Sequence, residues 1–249
     1  MENILGIDIG GSKIRMVLWD GLKVLKVWQS ETANLQNLKK GVEFFSGVSR
    51  ALGSANFKVG IGLPGLLNFE KGQALFCKNL PKFNNVNLQA FFPAKIKFDN
   101  DAKCFLKAEL FFYKGKVSQN VLGVIFGTGI GGAVSISNIK SQIANIYYGR
   151  DGWAGEFGHM IIDKGKTWEK LYQETKTKPK EQEKINSIGF ASLINIFNPE
   201  IIFLGGRGVK KPNLKLIEKY LLIKKQMPKF VLTKLGENAV AVGAALLWE

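Results

Sequence analysis

Two stretches of this chain follow one pattern. "ILGIDIGGS" (4–12) and "VLGVIFGTG" (121–129) share the same order of apolar residues and glycines. Each runs on into a second apolar-rich segment, "KIRMVLW" and "IGGAVSI", so each copy reads as strand, glycine turn, strand. The interval is too long for a stacked repeat and points to two related lobes. "KVGIGLPG" (58–65) and "EIIFLGG" (200–206) are further strand-like runs that stop at glycine turns. Helical spacing is carried by "LQNLKKGVEFFSGVSRAL" (35–52), "DAKCFLKAELFF" (101–112), "SIGFASLINIF" (187–197) and "NAVAVGAALLW" (238–248). Strands alternating with helices predict an α/β architecture. The polar "QETKTKPKEQEK" (173–184) reads as an exposed loop or frayed helix.

Composition narrows the class. With 46% hydrophobic and 22% charged residues, the 249-residue chain has the make-up of a folded protein. "MENILGIDIGG" has neither a basic start nor a long apolar stretch, so no secretory signal is expected. No window approaches the ~20 apolar residues of a membrane span. Cys77 and Cys104 suit a reducing, cytoplasmic setting, with one bridge between them left open. The net charge is +15, and residues 207–229 hold eight basic side chains against one acid. A nucleic-acid patch and a solvated helix both fit that segment; with no recognisable nucleic-acid motif beside it, the solvated helix is expected. The same field would attract an anionic small substrate.

Backbone N–H groups at glycine turns make cradles for phosphate oxygens. Gly10-Gly11-Ser12-Lys13 offers amides, a hydroxyl and a cation, and Gly127-Thr128-Gly129 offers the same without the lysine. A plain tight hairpin is the alternative, and the recurrence of the turn favours phosphate. Gly127, Gly129 and Gly132 also satisfy G-x-G-x-x-G, but "AVSI" predicts a strand where a dinucleotide fold requires a helix. Asp8 stands in mid-strand where the second copy has Ile125. A carboxylate there is costly unless paired, and Mg²⁺ beside a nucleotide's phosphates is the more specific of its explanations. Asp99-Asn100-Asp101 ends a strand and begins a helix; one of the three suffices as a cap, which leaves a carboxylate able to take a proton from a hydroxyl. His159, the one histidine, follows Glu156 by three residues in "GWAGEFGHMIID".

In this order, "GIDIGGSK", "GIGLPGLLN", "FDNDAKCFLKAE", "FGTGIGG", "GEFGHM" and "NPEIIFLGG" resemble the Repressor–ORF–Kinase (ROK) family of sugar kinases and sugar-responsive repressors. The resemblance runs from residue 4 to the closing helix. It implies a two-lobed actin-like ATPase (ribonuclease H-like) fold, with ATP and a hexose in the cleft between lobes. Residues 1–102, with the closing helix 238–249 packed back on them, would form the small lobe, and 103–237 the larger one. By analogy Asp101 is the catalytic base, and Asn100, Glu156 and His159 bind sugar hydroxyls. Gly10, Gly11, Lys13, Gly127, Thr128 and Gly129 would surround the phosphates, Gly205 and Gly206 would lie beside the adenosine, and Asp8 would hold Mg²⁺ through water or phosphate.

The departures also carry information. Many family members have a cysteine-rich zinc segment soon after the histidine, where this chain reads "GHMIIDKGKTWEKLY" with no cysteine beyond Cys104. No zinc is expected, and Glu169, which falls where the family's glutamate follows its last zinc cysteine, is assigned to the sugar. The stretch between Glu169 and "INIFNPE" is shorter than in the family. The activity implied is ATP-dependent phosphorylation of a hexose hydroxyl, by analogy the 6-OH of a glucose or N-acetylhexosamine sugar. The alternatives are a binding protein without catalysis and a sugar-responsive regulator, although with a first strand at residue 4 no preceding DNA-binding domain is expected. Expected partners are hexose and ATP, with a homodimer left open and neither membrane nor nucleic acid expected.

Overall fold

The computed structural model describes residues 3–31, 34–51, 58–68, 73–92, 95–115, 120–137, 144–207, 209–225 and 227–249. The first glycine turn joins β1 (Ile4–Ile9) to β2 (Ile14–Trp19) as an antiparallel hairpin, extended by β3 (Val24–Ser30). After α1 (Leu35–Ala51) comes β4 (Lys58–Leu63), parallel to β1. A small hairpin of β5 (Leu66–Asn68) and β6 (Gln73–Phe76) precedes β7 (Ile96–Asn100), which is parallel to β4. The sheet order is β3-β2-β1-β4-β7, and α2 (Asp101–Phe112) starts directly at the end of β7.

The second copy repeats this plan. β8 (Val121–Phe126) and β9 (Ile130–Ser137) flank the other glycine turn, and β10 (Ala144–Ile146) pairs with β9. A short hairpin of β11 (Ile161–Asp163) and β12 (Lys166–Thr167) leads into α3 (Trp168–Glu174) and α4 (Pro179–Phe197). β13 (Ile201–Gly206) then lies parallel to β8; α5 (Leu214–Glu218) and β14 (Lys229–Leu232) follow, with β14 parallel to β13. The order β10-β9-β8-β13-β14 matches the first sheet strand for strand. α6 (Ala239–Ala245) and a closing 3-10 turn end the chain. Because a strand follows Gly132, the G-x-G-x-x-G match has no dinucleotide-binding context.

The chain divides into two compact units: 1–111 with 237–249, and 112–236. α2 runs unbroken through residue 102, so the change-over falls at its far end rather than in its first turn. The polar segment 173–184 is also more ordered than its composition suggests. α4 begins at Pro179, a residue suited to a first helical position, and only 175–178 lie outside helix. In the basic segment 207–229 the described residues form one short helix, α5, so the solvated helix expected there is five residues long.

Alternation along β1 sets the first unit's layers. Leu5, Ile7 and Ile9 join Leu38, Val42 and Phe45 of α1 in one apolar cluster. Gly6 and Asp8 alternate with them on the other face, opposite Gly60 and Gly62 of β4. There α6 presses onto the sheet: a Cβ at Gly60 would stand 1.8 Å from the Ala244 carbonyl oxygen. Only glycine admits a helix backbone at that distance, so the final helix is seated on β1 and β4. In the second unit Leu122, Val124, Phe126 and Ile202 pack against Trp168, Leu171, Phe190 and Leu193 of α3 and α4.

Candidate functional site

In the first unit the Gly10 amide donates to the Lys13 carbonyl at 2.9 Å, closing the turn between β1 and β2. In the second, the Gly127 amide donates to the Gly129 carbonyl, also at 2.9 Å. These two amides hold the hairpins rather than facing a ligand, which leaves Gly11, Ser12 and Thr128 at the tips. Ser12, Gly127 and Thr128 are exposed, and a Cβ at Gly127 would meet nothing within 4 Å.

Charge gathers at the first turn. Asp8 is half-buried and stands opposite Arg15 in the β1–β2 register. Burial, helped by the charge of Asp101, pushes its carboxyl up to about 7, while Lys13 and Arg15 pull it down. Lys13 is itself paired, its ammonium 2.9 Å from Glu237, and Arg15 contacts Glu237 and donates to Asn238 at 2.9 Å. The sequence reading missed Arg15, Glu237 and Asn238. Arg15, the second residue of β2, stands two positions after Lys13, a signal that was available; nothing local marks Glu237.

The Asp99-Asn100-Asp101 run sorts into distinct tasks. Asn100 is the cap of α2, its Oδ1 accepting from the amides of Ala102 at 3.0 Å and Lys103 at 3.4 Å. Asp99 is buried and accepts from the Asn100 amide at 2.7 Å. Asp101, half-buried in the first turn of α2, accepts from the Ala102 amide at 2.8 Å and lies within electrostatic reach of Asp8. Asp8 and Asp101 are thus two carboxyls held in one neighbourhood, a common basis for acid–base roles. The thiols lie nearby without such a role: both are free and buried, Cys77 is pushed up to about 11 by burial and Cys104 well above the ordinary range.

In the second unit, Glu156 and His159 lie at the two ends of a 3-10 turn, Phe157–His159, both exposed. Phe157 and Gly158 between them are buried. The loop enters through Gly155, whose φ of +102° and 2.5 Å approach of a Cβ to the Gly132 carbonyl exclude other residues. Sequence-adjacent apolar residues thus pin the backbone and leave the polar pair outward. Glu169 sits on α3, and its Oε2 accepts from the Ile130 amide at 3.0 Å, just past the second glycine turn. One helical turn on, Gln173 donates to the Thr128 carbonyl. α3 is fixed there by Trp168, which stacks edge-on with Phe126 and Phe190 and donates to Asn186 at 3.0 Å. Glu169 therefore braces the second glycine turn, and Gln173 is a second contact that the sequence reading missed. Gly206, with φ +110°, ends β13 flush against Phe126, and Gly205 beside it is buried.

Where the family's cysteine segment would fall, Lys164 and Gly165, both with positive φ, turn the two-stranded hairpin β11–β12. Among the described residues no group of three or more His, Cys, Asp and Glu side chains is gathered for a metal ion. Asp8 alone fits the one-carboxylate share that Mg²⁺ takes when substrate phosphates and water supply its other ligands. Of the turn glycines, Gly127 is exposed with nothing within 4 Å of a Cβ, which fits the approach of a phosphate oxygen, whereas a Cβ at Gly129 would run into the Glu169 carboxylate. Among the described residues no helix is long and apolar enough to cross a membrane.

The ROK family's sequence profile matches residues 4–183, and the chain belongs to the ROK family. It is 33% identical over 166 residues to an N-acetyl-D-glucosamine kinase of Pectobacterium atrosepticum, a match covering 63% of this chain and 52% of that one. The chain spans about half the length of such relatives. Among solved structures it superposes on a ROK family glucokinase from Streptomyces griseus in complex with glucose and AMPPNP. There the TM-score is 0.78, at 21% identity over 98% of each chain. A ROK hexokinase from Thermus thermophilus gives a TM-score of 0.75 at 22% identity, covering 98% of this chain and 97% of that one. These likenesses show the two-unit actin-like ATPase fold, in agreement with the duplicated sheet order.

Two measurements check this description. Asp8 holds its proton more tightly folded than unfolded, so its contribution to stability is full below about pH 4 and is lost as the pH rises through about 7. Urea unfolding of the ligand-free protein at pH 5 and pH 8 should show this decline, and Asp8→Asn should reduce it. Glu169→Ala should cost about 1–3 kcal/mol by leaving the Ile130 amide unsatisfied. Glu169→Gln, whose carbonyl oxygen still accepts, should recover most of that stability in the same assay.

Proposed function

We propose that this protein is an ATP-dependent sugar kinase that transfers the γ-phosphoryl group to a hexose hydroxyl, with the 6-OH of a glucose or N-acetylhexosamine sugar as acceptor. The observation that carries the reading is the placement of Asp101, a half-buried carboxyl in the first turn of α2, directly after the Asn100 cap at the end of β7. It is the candidate base. Family membership and the sugar-kinase names of the relatives support the same class.

In this reading Asp101 accepts the proton of the attacking hydroxyl as its oxygen bonds to the γ-phosphorus and the bond to the departing ADP breaks. Asn100 can serve through its side-chain amide, since its Oδ1 already caps α2. Glu156 and His159 bind sugar hydroxyls, because both are exposed from a loop whose backbone is pinned. Glu169 is the less direct sugar contact, with one oxygen engaged by Ile130. The tip amides of Gly11 and Thr128 and the Lys13 ammonium bind phosphate oxygens and stabilise charge that spreads during transfer. Gly10, Gly127 and Gly129 shape those turns, and Gly205 and Gly206 flank the adenosine. Asp8 is the residue to hold Mg²⁺, which when bound would neutralise phosphate charge.

The test is ADP release with ATP and Mg²⁺ across a panel of hexoses and N-acetylhexosamines. One sugar should give turnover, and Asp101→Asn should lower kcat by about 10²–10⁴ while sugar affinity changes little. Near-normal turnover in that variant would remove Asp101 as the base. Silence with every sugar, with nucleotide still bound, would favour a binding protein without catalysis.

A further inference from the structure

Glu237 opens the final segment of the first unit, in the 3-10 turn Gly236–Asn238. One carboxylate oxygen is 2.9 Å from the Lys13 ammonium and the other contacts the Arg15 guanidinium, which also donates to Asn238 at 2.9 Å. All three charged side chains are partly buried, with 21% of Lys13, 14% of Arg15 and 35% of Glu237 exposed. Cations withdrawn from water this far require a partner. In the ligand-free protein Glu237 is the charged partner shown for both, with Gln29 also accepting from Arg15, and Glu237 occupies the same ammonium assigned above to nucleotide phosphate.

We infer that Glu237 is a positioning residue, the resident counter-ion of the first glycine turn, which holds Lys13 until a phosphate takes it and then remains on Arg15. The inference rests on the nucleotide-binding reading. Its two oxygens divide the work: the Arg15 contact, backed by Asn238, anchors the side chain, while the lysine is the exchangeable partner. Arg15 is the more buried cation and its planar fork is suited to lasting pairing; the ammonium on its flexible stem is suited to changing partners. The carboxylate thus keeps the lysine extended over the turn, and it lowers the affinity for any phosphate by competing for it. An enzyme that must release ADP after each cycle gains from that competition, because the leaving product is replaced by a charge already in place.

The experiment measures binding of a fluorescent ADP analogue in EDTA, so that no divalent cation enters, at low and at high salt. Four folded proteins are compared: wild type, Glu237→Gln, Lys13→Met and the double variant. Glu237→Gln should bind about fivefold tighter at low salt, the scale of one half-exposed ion pair, with a smaller gain at high salt. That gain should vanish in the Lys13→Met background. Unchanged or weaker binding by Glu237→Gln, or the same gain without Lys13, would overturn the inference while leaving the kinase reading intact. Binding by none of the four would overturn the kinase reading and the inference together. If Glu237→Gln does not fold, Glu237→Asp, one methylene shorter, should tighten binding by a smaller factor; no tightening would overturn the inference.

Discussion

The Gly10 amide reaches the carbonyl of Lys13 and the Gly127 amide that of Gly129, and these two hydrogen bonds fix the hairpin tips on which the candidate chemistry depends. A tip amide can serve an anion only if the strands behind it do not move. β1 and β8 supply that rigidity, because each is the central strand of its sheet, with an antiparallel partner on one side and a parallel partner on the other. The first is further held by α6, seated at Gly60. The second is held by the aromatic contacts of Phe126 with Trp168, Tyr172 and Phe190 immediately before Gly127.

Two copies of one hairpin have been given different electrostatics. Around the first turn stand Asp8, Lys13, Arg15, Glu237 and, through its charge on Asp8, Asp101. At the corresponding positions of the second, Ile125 replaces Asp8 and Gly131 faces it in place of Arg15. The second turn is instead braced by neutral and single-charge contacts from α3, those of Gln173 and Glu169. The backbone plan was kept in both units while charge was concentrated around the first turn.

How much of this was legible follows from the range of each interaction. Strand alternation and glycine turns are written in a few adjacent residues, so the repeat, the α/β class and the strand after Gly132 could be read directly. Asn100-Asp101 was legible because capping is local. The first turns of α4 were not, since Lys180, Glu181 and Glu183 give no apolar stripe and the helix there rests on Pro179 at its start. Nor was the Lys13–Glu237 pair, which joins opposite ends of the chain through the return of α6 to β1. Glu169 was assigned to sugar by its place in the sequence; its bond to the Ile130 amide depends on how aromatic packing orients α3, which no local pattern records.

Membership of the ROK family and the duplicated fold leave one chemical question at the centre: whether phosphate moves from nucleotide to sugar on this chain. Phosphorus NMR of the protein with ATP, Mg²⁺ and the preferred hexose tests it most directly, because it follows every phosphorus atom. The expected result is loss of the γ-phosphate signal matched one for one by ADP and a sugar phosphomonoester, with no free phosphate. Formation of ADP with inorganic phosphate alone, or an unchanged ATP spectrum in the presence of every hexose tried, would contradict it.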